Sequence, residues 1–346
     1  MLKKRVVLLG AILLAAVLVT TVPQADGQWN VLQQMDMEDV RDYNGVAFIS
    51  RDEGWVVGIS ALDMDSPGYI GHTRDGGKTW QKAEEPINQM LNDIYFFDKK
   101  NGWAVGQEGM IVATTNGGKR WDIQTSKVGN WLKGVHFVSP KVGYAVGMND
   151  TIVQTTNGGK QWSVLRGGEV AAAVGDEETV VLNAVQFIDE STGWVTGVRI
   201  SPETGGQDGL VQKTTDGGKT WVDQPTNIPD ILEDICFVDA NNGWAVGENG
   251  IVLRTTNGGD SWELQTSGTE EKLLSVSFAD GAVGWAAGGG LGVSIIIHTT
   301  DGGATWVTQT IDDPIISKVP ANGIFVLDAN NVWVTGNNGF VVSSSK

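Results

Sequence analysis

Short apolar segments alternate with polar, glycine-rich turns along nearly the whole chain. Segments of this kind, rich in β-branched and aromatic residues, are typical of β-strands. One strand pair, joined by a polar turn, is recognised in seven places because its second strand carries an aromatic residue near the start. The seven copies are FISRDEGWVVG, FFDKKNGWAVG, FVSPKVGYAVG, FIDESTGWVTG, FVDANNGWAVG, FADGAVGWAAG and VLDANNVWVTG.

A second phrase recurs between these copies. It consists of an apolar strand, an Asn-Gly-Gly or Asp-Gly-Gly turn, and a tryptophan that opens the next strand. Three of the five intervals between these tryptophans are 41 residues, a length typical of a four-stranded propeller blade. The two phrases together predict an all-β fold, a seven-bladed β-propeller of four-stranded blades, as a single domain over residues 28–346. The six copies end at Trp80, Trp121, Trp162, Trp221, Trp262 and Trp306.

The two ends of this region complete each other. The seventh blade ends at FVVSSSK without a fourth strand, whereas QWNVLQQ, from residue 28, looks like the fourth-strand segments WDIQTS and WELQTS. We therefore expect the N-terminal strand to complete the last blade. This closure removes the sheet edge that an incomplete propeller would expose.

The tryptophans test this scheme. Of the 14 in the chain, all but Trp131 fall at two positions of the repeat, the second strand and the start of the fourth, and Tyr144 takes the second-strand position in blade three. Wide aromatic side chains at fixed points in every blade are suited to filling the space between sheets that face each other.

The first residues indicate export. Lys3, Lys4 and Arg5 precede an apolar run over residues 6–22, which is the layout of a secretory signal. We expect residues 1–25 to be a cleaved signal peptide, with an uncleaved anchor as the alternative and the only predicted contact with a membrane. The rest of the chain is then periplasmic, lumenal or extracellular, and Cys236, the single cysteine, excludes an intramolecular disulfide.

The charge narrows the choice of partners. The formal net charge is -17 and becomes -20 once Lys3, Lys4 and Arg5 are removed. Nucleic acid is excluded as a partner, because phosphate binding requires clustered Lys and Arg. No cofactor is predicted, and we expect a monomer.

The turns of the second phrase have a structural explanation. Their Asn or Asp can accept backbone N–H bonds within the turn, and the glycines supply the positive φ of a tight hairpin. Because Asn and Asp alternate at one position, and Asn cannot titrate, acid–base chemistry there is not expected. The six turn residues are Asp75, Asn116, Asn157, Asp216, Asn257 and Asp301.

The TTNGGKxW and GWAVG phrases resemble the Asp-box, or bacterial neuraminidase repeat, and within it the photosystem II stability and assembly factor family of cyanobacteria and chloroplasts. The resemblance covers residues 28–346. It implies a seven-bladed lumenal protein that is not an enzyme and that assists assembly of a membrane-protein complex. Family members are associated with arginine-rich patches, whereas the arginines here are scattered, so a related exported scaffold for a protein partner is expected.

A binding site is expected on one face of the propeller. Loops between second and third strands and between blades share this side, here called the loop face, and the hairpin turns share the other, the turn face. The loop face carries the insertions at residues 59–69, 163–182 and 198–209, together with many acidic residues. These acids either attract a cationic partner or ion, or only solvate the surface. The pair Asp63 and Asp65 lacks the spacing of a calcium loop, so no metal is predicted.

The starts of the seven inner strands supply further candidates. Polar residues there either line a pocket at the axis or are merely hydrated, and small residues beside them suit a narrow channel. Trp131 is the tryptophan outside the pattern, and it either packs, as its apolar counterparts in other blades suggest, or anchors a partner. The candidate binding residues are Trp131, Asn44, Asn92, Asp93, Lys133, Asn183, Glu233, Asp234 and Asn322.

No catalytic residues are predicted. A sialidase needs an arginine triad, and only Arg41 lies near an inner-strand start. His136 and Cys236 occupy equivalent positions two blades apart, so they are not expected to form a nucleophilic pair. The alternative function is a carbohydrate-binding or glycoside-hydrolysing propeller that uses paired carboxylates.

Overall fold

The structure is a computed structural model that describes residues 28–33, 41–60, 67–84, 87–168 and 178–345. The predicted signal segment, residues 1–25, lies outside these ranges, as do Asp63 and Asp65. Within the described ranges the only helical pieces are short 3-10 turns, at Gln107–Gly109, Glu248–Gly250, Ile316–Lys318 and Asn337–Gly339. None of them has the length or apolar character that crossing a membrane by a helix requires.

Seven antiparallel sheets of four strands each surround a central axis, as the repeat predicts. The inner strands of neighbouring sheets contact one another in a closed circle. In chain order the strands are β1 (Gln28–Gln33) of the last blade; β2 (Arg41–Phe48), β3 (Gly54–Ser60), β4 (Gly68–Thr73) and β5 (Gln81–Lys82) of blade one; β6 (Leu91–Phe96), β7 (Gly102–Gly106), β8 (Met110–Thr114) and β9 (Asp122–Thr125) of blade two; β10 (Leu132–Phe137), β11 (Gly143–Gly147), β12 (Thr151–Thr155) and β13 (Trp162–Arg166) of blade three; β14 (Thr179–Phe187), β15 (Gly193–Ile200), β16 (Gln207–Thr214) and β17 (Val222–Gln224) of blade four; β18 (Leu232–Phe237), β19 (Gly243–Gly247), β20 (Val252–Thr255) and β21 (Glu263–Gln265) of blade five; β22 (Leu273–Phe278), β23 (Gly284–Gly290), β24 (Val293–Thr299) and β25 (Val307–Gln309) of blade six; and β26 (Ala321–Asp328), β27 (Asn331–Gly336) and β28 (Val341–Ser345) of blade seven.

The N-terminal strand completes blade seven, so the closure prediction is confirmed. β1 pairs antiparallel with β28, with Trp29 opposite Ser344 and Val31 opposite Val342. The ring is also closed by packing, because Trp333 of blade seven stacks on Phe48 of blade one at 3.8 Å between ring centroids. The indole N–H of Trp333 donates to the carbonyl of Gly76 in the blade-one turn, at 2.9 Å.

The repeated aromatic residues form the packing unit between blades. In blade five, Phe237 at the end of the inner strand lies face to face with Trp194 of blade four, at 3.6 Å, and edge-on to Trp262 of its own blade, at 5.9 Å. Such pairs add about 0.5–1.5 kcal/mol beyond the area that they bury. The same sandwich occurs in blades one to six, which explains why the tryptophans hold their register.

The boundary between blades six and seven departs from this rule. Blade seven carries Val326 where the other inner strands carry phenylalanine, and in the described ranges Trp285 of blade six stacks on no ring of blade seven, although it shares a hydrophobic cluster with Trp29 and Val326. Trp285 stacks on His298 of its own blade, at 4.3 Å.

The six turn residues are all engaged within their own turns. In blade five, Asn257 Oδ1 accepts a hydrogen bond from the backbone N–H of Ser261 at 3.0 Å. The buried Thr255 donates to the same oxygen and accepts from the N–H groups of Asn257 and Gly259. Equivalent threonines serve every one of these turns; they were not predicted from the sequence, although they precede each Asn or Asp by two residues. They are Thr73, Thr114, Thr155, Thr214, Thr255 and Thr299.

Candidate functional site

An open pocket of about 320 Å³ lies on the axis, at the loop-face end of the inner strands. Seven of the residues that line it are structurally equivalent, one from the start of each inner strand, and here they are called the axial ring. Asn337, from the loop after β27, adds an eighth side chain. The axial ring consists of Asn44, Asn92, Lys133, Asn183, Glu233, Leu274 and Asn322.

The asparagines of the axial ring tie each blade to the next. Asn92 donates from Nδ2 to the carbonyl of Leu132 in blade three at 2.7 Å. Asn44, Asn183 and Asn322 make the equivalent bond to the following blade, at 2.9–3.0 Å. Each acceptor is the residue just before the axial-ring position of the next blade. Four of the predicted candidates therefore have a clear role in joining blades.

Glu233 replaces asparagine in blade five and forms an ion pair instead. Its Oε1 lies 2.6 Å from Nζ of Lys272, which also lies 3.5 Å from Glu248 Oε1. Burial alone lowers the pKa of Lys272, but the attraction of Glu233 and Glu248 outweighs it, so the pKa rises. Lys272 is not among the residues predicted from the sequence; it lies two residues before Leu274, at the position that Trp131 holds in blade three.

Lys133 replaces asparagine in blade three and has no such partner. Among the described residues, no side-chain hydrogen bond or ion pair to its ammonium group is formed. Burial lowers the pKa of Lys133; the negative charge of Glu233 opposes this effect, and the positive charge of Lys272 adds to it. The axial pocket thus contains a half-buried cation without a bonded anion.

Two aspartates, here called the channel aspartates, follow directly after residues of the axial ring: Asp93 after Asn92 and Asp234 after Glu233. Each accepts hydrogen bonds from backbone N–H groups of two neighbouring inner strands. Asp93 accepts hydrogen bonds from the backbone N–H of Ile94, at 2.7 Å, and of Val135 in blade three, at 2.9 Å. Asp234 makes the same two contacts with Ile235 and with Val276 in blade six. These backbone donors satisfy the carboxylates and join blades, as the asparagines do above them.

The two channel aspartates are nonetheless unusual acids. Burial raises the pKa of Asp93 to about 7 and that of Asp234 to about 6, despite the backbone N–H bonds that favour the charged forms. The charge of Asp234 adds to the rise at Asp93. Most other positions at this level are small. A Cβ on Gly134 would lie 3.0 Å from the Cα of Ala184, which supports the expectation of a narrow channel.

Trp131 lies in the loop before β10 on the loop face, two residues before Lys133, and it is not one of the residues that line the axial pocket. Its side chain is 43% exposed, and it belongs to none of the hydrophobic clusters of the described residues. The packing alternative therefore loses support. The backbone carbonyl of Trp131 accepts from the N–H of Met148 at 2.9 Å, and Met148 is also exposed, so two large apolar side chains meet the solvent on adjacent loops.

Exposed apolar side chains are distributed unevenly in the described part of the molecule. Four large ones lie in loops of the loop face, at Trp131, Met148, Leu291 and Ile315, whereas Phe97 alone lies in a hairpin turn of the turn face. The other exposed ones belong to the outer strands, where each blade ends: Ile123, Val164, Leu165, Val222 and Leu264.

Of the predicted insertions, one is described in full. Residues 198–209 extend the hairpin of β15 and β16, and each of these strands has eight residues. The other two insertions are described only in part, because residues 61–66 and 169–177 lie outside the described ranges. The acidic residues Asp176 and Glu177 fall in the second of these gaps. Among the acids that are described, Asp230 accepts from Asn249 at 2.7 Å.

The titratable side chains of the described ranges bear on metal binding and on the pairing of His136 with Cys236. No cluster of three or more His, Cys, Asp or Glu residues that could hold a metal ion occurs there. Burial lowers the pKa of His136 to about 4 and raises that of Cys236 to about 12. His136 accepts from the backbone N–H of Phe187, at 3.4 Å, so it is bound to blade four, which separates it from Cys236.

The chain is similar to one protein family and to several solved structures. The family model described as photosynthesis system II assembly factor YCF48 matches residues 22–125, 124–227 and 221–346. A solved structure of YCF48 bound to a D1 peptide has a TM-score of 0.65 and 19% identity, over 92% of this chain and 97% of its own. YCF48 from Cyanidioschyzon merolae also has a TM-score of 0.65, with 21% identity over 92% and 99%.

A GH74 xyloglucanase from Xanthomonas campestris reaches a TM-score of 0.65 with 12% identity, over 91% of this chain and 53% of the enzyme. At such identities these structures support the propeller fold alone. No curated protein sequence matches the chain.

Proposed function

We propose a function from one premise, that this chain belongs to the family of the photosynthesis system II assembly factor YCF48. On that premise the protein is an exported, non-catalytic scaffold that binds a protein partner, a subunit of a membrane-protein complex, through its loop face. The partner class follows from a relative, because the solved YCF48 is bound to a D1 peptide. The photosystem itself is not part of the proposal.

The observation that carries the proposal is the exposure of Trp131 in a loop of the loop face, two residues before Lys133 of the axial ring. A large aromatic side chain left in water forgoes the free energy of burial, about 25 cal/mol for each Å² of apolar surface. Tryptophan is also among the residues that most often dominate the energy of protein interfaces. Met148 beside Trp131 enlarges the apolar area available to a partner.

The charge of the chain shapes the rest of the interface. Scattered arginines offer no cationic patch of the kind associated with photosynthetic relatives, and two of them are neutralised by close acids. Arg166 lies 2.7 Å from Asp150, and Arg199 lies 3.0 Å from Glu178. With a net charge of -17, the loop face is proposed to meet a partner whose surface around the apolar contact is positive.

The test is capture of the partner by purified protein from an envelope fraction of the native host, followed by mass spectrometry. Trp131→Ala is compared with Ile123→Ala, which removes an apolar side chain that is even more exposed, 65% against 43%, from an outer strand of the neighbouring blade. We expect one membrane protein or complex to be captured by the native chain and by Ile123→Ala, and to be lost with Trp131→Ala at unchanged melting temperature.

A glycan array on the same preparations addresses the carbohydrate alternative. Strong binding of one glycan, together with capture that does not depend on Trp131, would overturn the proposal. No contact at Asp93 or Asp234 favours glycoside hydrolysis, because both carboxylates are held by backbone N–H groups of adjacent strands.

A further inference from the structure

A second cavity, of about 240 Å³, lies between the outer parts of blades one and two and is here called the interblade cavity. Its wall on blade one consists of side chains from β4, β5 and the residues just after them. Its wall on blade two consists of the Asn-Gly-Gly turn and Trp121. Since a water molecule occupies about 30 Å³ of the liquid, the interblade cavity has room for about eight waters.

The interblade cavity coincides with a departure from the repeat. The third residue after the fourth-strand tryptophan is Ala83 in blade one, whereas every other blade has glutamine or leucine there. The longer side chain reaches the turn of the following blade, as Leu165 does at Gly218, where an added Cβ would lie 3.2 Å from Leu165 Cδ1. Alanine is too short for this contact, so space remains between the blades. The six counterparts of Ala83 are Leu32, Gln124, Leu165, Gln224, Gln265 and Gln309.

Positive charge collects around the same space. Arg74 and Lys82 line the interblade cavity from blade one, and Lys119 lines it from blade two. Arg74 Nε lies 4.0 Å from Glu53 Oε1, a long contact at the exposed surface. Lys119 forms no ion pair among the described residues. Glu84 is the single acid among the residues that line the cavity, so three cations meet one carboxylate there.

The next boundary, between blades two and three, shows that this charge is not a property of the repeat. Thr115 and Ile123 stand there at the positions of Arg74 and Lys82. The chain as a whole has a net charge of -17 and repels anions, so only a local group of cations can hold one. The missing side chain and the added cations therefore occur together, at one boundary.

We propose that the interblade cavity binds a phosphate group through Arg74, Lys82 and Lys119, with the atoms attached to the phosphate in the space beside Ala83. A phosphate presents oxygens in several directions and carries up to two negative charges, so cations from two blades can contact it together. A soluble phosphate ester and a phospholipid headgroup share this chemistry. The inference does not involve the loop face and does not rest on the proposed function.

The decisive variant is Ala83→Gln, which restores the residue type of the other blades. Gln124 shows how glutamine fits, because its Oε1 accepts from Trp162 Nε1 at 3.0 Å and its Nε2 donates to the carbonyl of Gly158 at 3.2 Å. At the boundary of blades one and two, the buried Nε1 of Trp121 has no partner in the described ranges and would gain one. Ala83→Gln is therefore expected to keep or raise the melting temperature while it fills the cavity.

Isothermal titration calorimetry of the purified chain with inorganic phosphate and with glycerol 3-phosphate, at constant ionic strength, measures the affinity. We expect one phosphate group to bind per chain. Ala83→Gln and Lys119→Gln should each weaken the binding of glycerol 3-phosphate at least about tenfold. Lys160→Gln is the matched control, because Lys160 is the counterpart of Lys119 at the next boundary and does not line the interblade cavity. It should leave the affinity unchanged.

The inference is overturned if neither ligand binds, or if both ligands bind Ala83→Gln as they bind the native chain. It also fails if Lys160→Gln weakens binding as much as Lys119→Gln, since the anion would then be attracted to the turn face in general.

Sedimentation with phosphatidylcholine vesicles, with and without about a third of phosphatidylglycerol, separates the two sources of the phosphate. Binding that requires phosphatidylglycerol and is lost with Ala83→Gln identifies a lipid headgroup. Binding of glycerol 3-phosphate without binding to these vesicles identifies a soluble ester.

Discussion

The turn face and the axial channel use the same residue types to opposite effect. On the turn face, Asp75 accepts hydrogen bonds from the backbone N–H and the hydroxyl of Thr79 in an open, hydrated turn. In the channel, Asp93 accepts two backbone N–H groups while enclosed by seven strands. Hydrogen bonding from Thr79 lowers the pKa of Asp75 to about 2, whereas burial raises that of Asp93 to about 7. The difference between the pKa values of Asp75 and Asp93 therefore follows from the exposure of the carboxylate to water more than from the number of hydrogen bonds that it accepts.

The two regions also differ in how they tolerate substitution. In the turns, Asp and Asn replace one another from blade to blade because either side chain offers the Oδ1 that the next N–H requires. In the axial ring, Glu233 and Leu274 have no side-chain N–H with which to reproduce the bond that asparagine makes, and Lys133 does not make it in the described structure. A residue type that recurs at the same position in most blades serves the fold. A position at which one blade departs from that residue type, as at Lys133, is expected to have a different role.

The largest expected effect is a dependence of stability on pH that originates in the channel. Because folding raises the pKa values of Asp93 and Asp234 above the ordinary 3.8, their contribution to stability is complete below about pH 4 and is lost as pH rises through about 6 to 7. The free energy of unfolding of the native chain, minus that of the double variant Asp93→Asn and Asp234→Asn, should fall by more than about 2 kcal/mol between pH 4 and pH 7.5.

Urea unfolding at a series of pH values measures this difference, and the double variant serves as the non-titrating reference for all other groups. Carbon-13 NMR of the aspartate carboxyls supplies an independent titration if the variant folds poorly. If the difference in free energy of unfolding between the native chain and the double variant stays constant or rises with pH, the channel aspartates titrate like the aspartates of the turns. Asp75, whose pKa is lowered, contributes in the opposite sense, and its stabilisation is lost only as pH falls through about 2.

The next largest effect on stability is expected from a substitution in a turn of the turn face. Thr255→Val keeps the shape of the side chain but removes the oxygen that accepts the N–H of Gly259 at 2.9 Å. An N–H left unsatisfied in a buried site costs about 1–3 kcal/mol, so we expect the free energy of unfolding to fall by about 2 kcal/mol in urea titrations. Thr256→Val, at the exposed neighbouring threonine, is the control and should change it by less than about 0.5 kcal/mol. Equal effects of the two substitutions would remove the special role of the buried threonine.

Much of the fold was predictable because the determinants of a blade are local and repeated. The sandwich around Phe237, for example, depends on tryptophans whose spacing can be read directly from the chain. The prediction of closure by β1 needed only the observation that one blade lacked a strand. The buried threonines of the turns carried an equally regular signal, two residues before each Asn or Asp, and were overlooked rather than hidden.

The axial site was predictable in part. Alignment of the inner strands placed Lys133 and the asparagines at one level, and these residues do line a common pocket. It did not reveal that Asn92 bonds to Leu132, because that contact joins two blades and depends on the distance between their inner strands. Nor did it reveal that Trp131 is exposed, since its apolar counterparts Met90, Val181 and Ile231 are half-buried. Exposure depends on the loops around a residue, which differ among blades.

The smallest effect comes from exchanging residues within the axial ring. Asn92→Leu removes the 2.7 Å bond to the carbonyl of Leu132, and we expect it to lower the free energy of unfolding by about 1 kcal/mol. Leu274→Asn is the reverse exchange, because asparagine there would face the carbonyl of Ala321 as Asn322 faces that of Tyr43. It should leave stability unchanged or raise it by up to about 1 kcal/mol. Urea unfolding of the two variants and of their combination measures both changes, which should add because the two sites lie on separate blades. If Asn92→Leu costs nothing, the asparagines are not ties between blades.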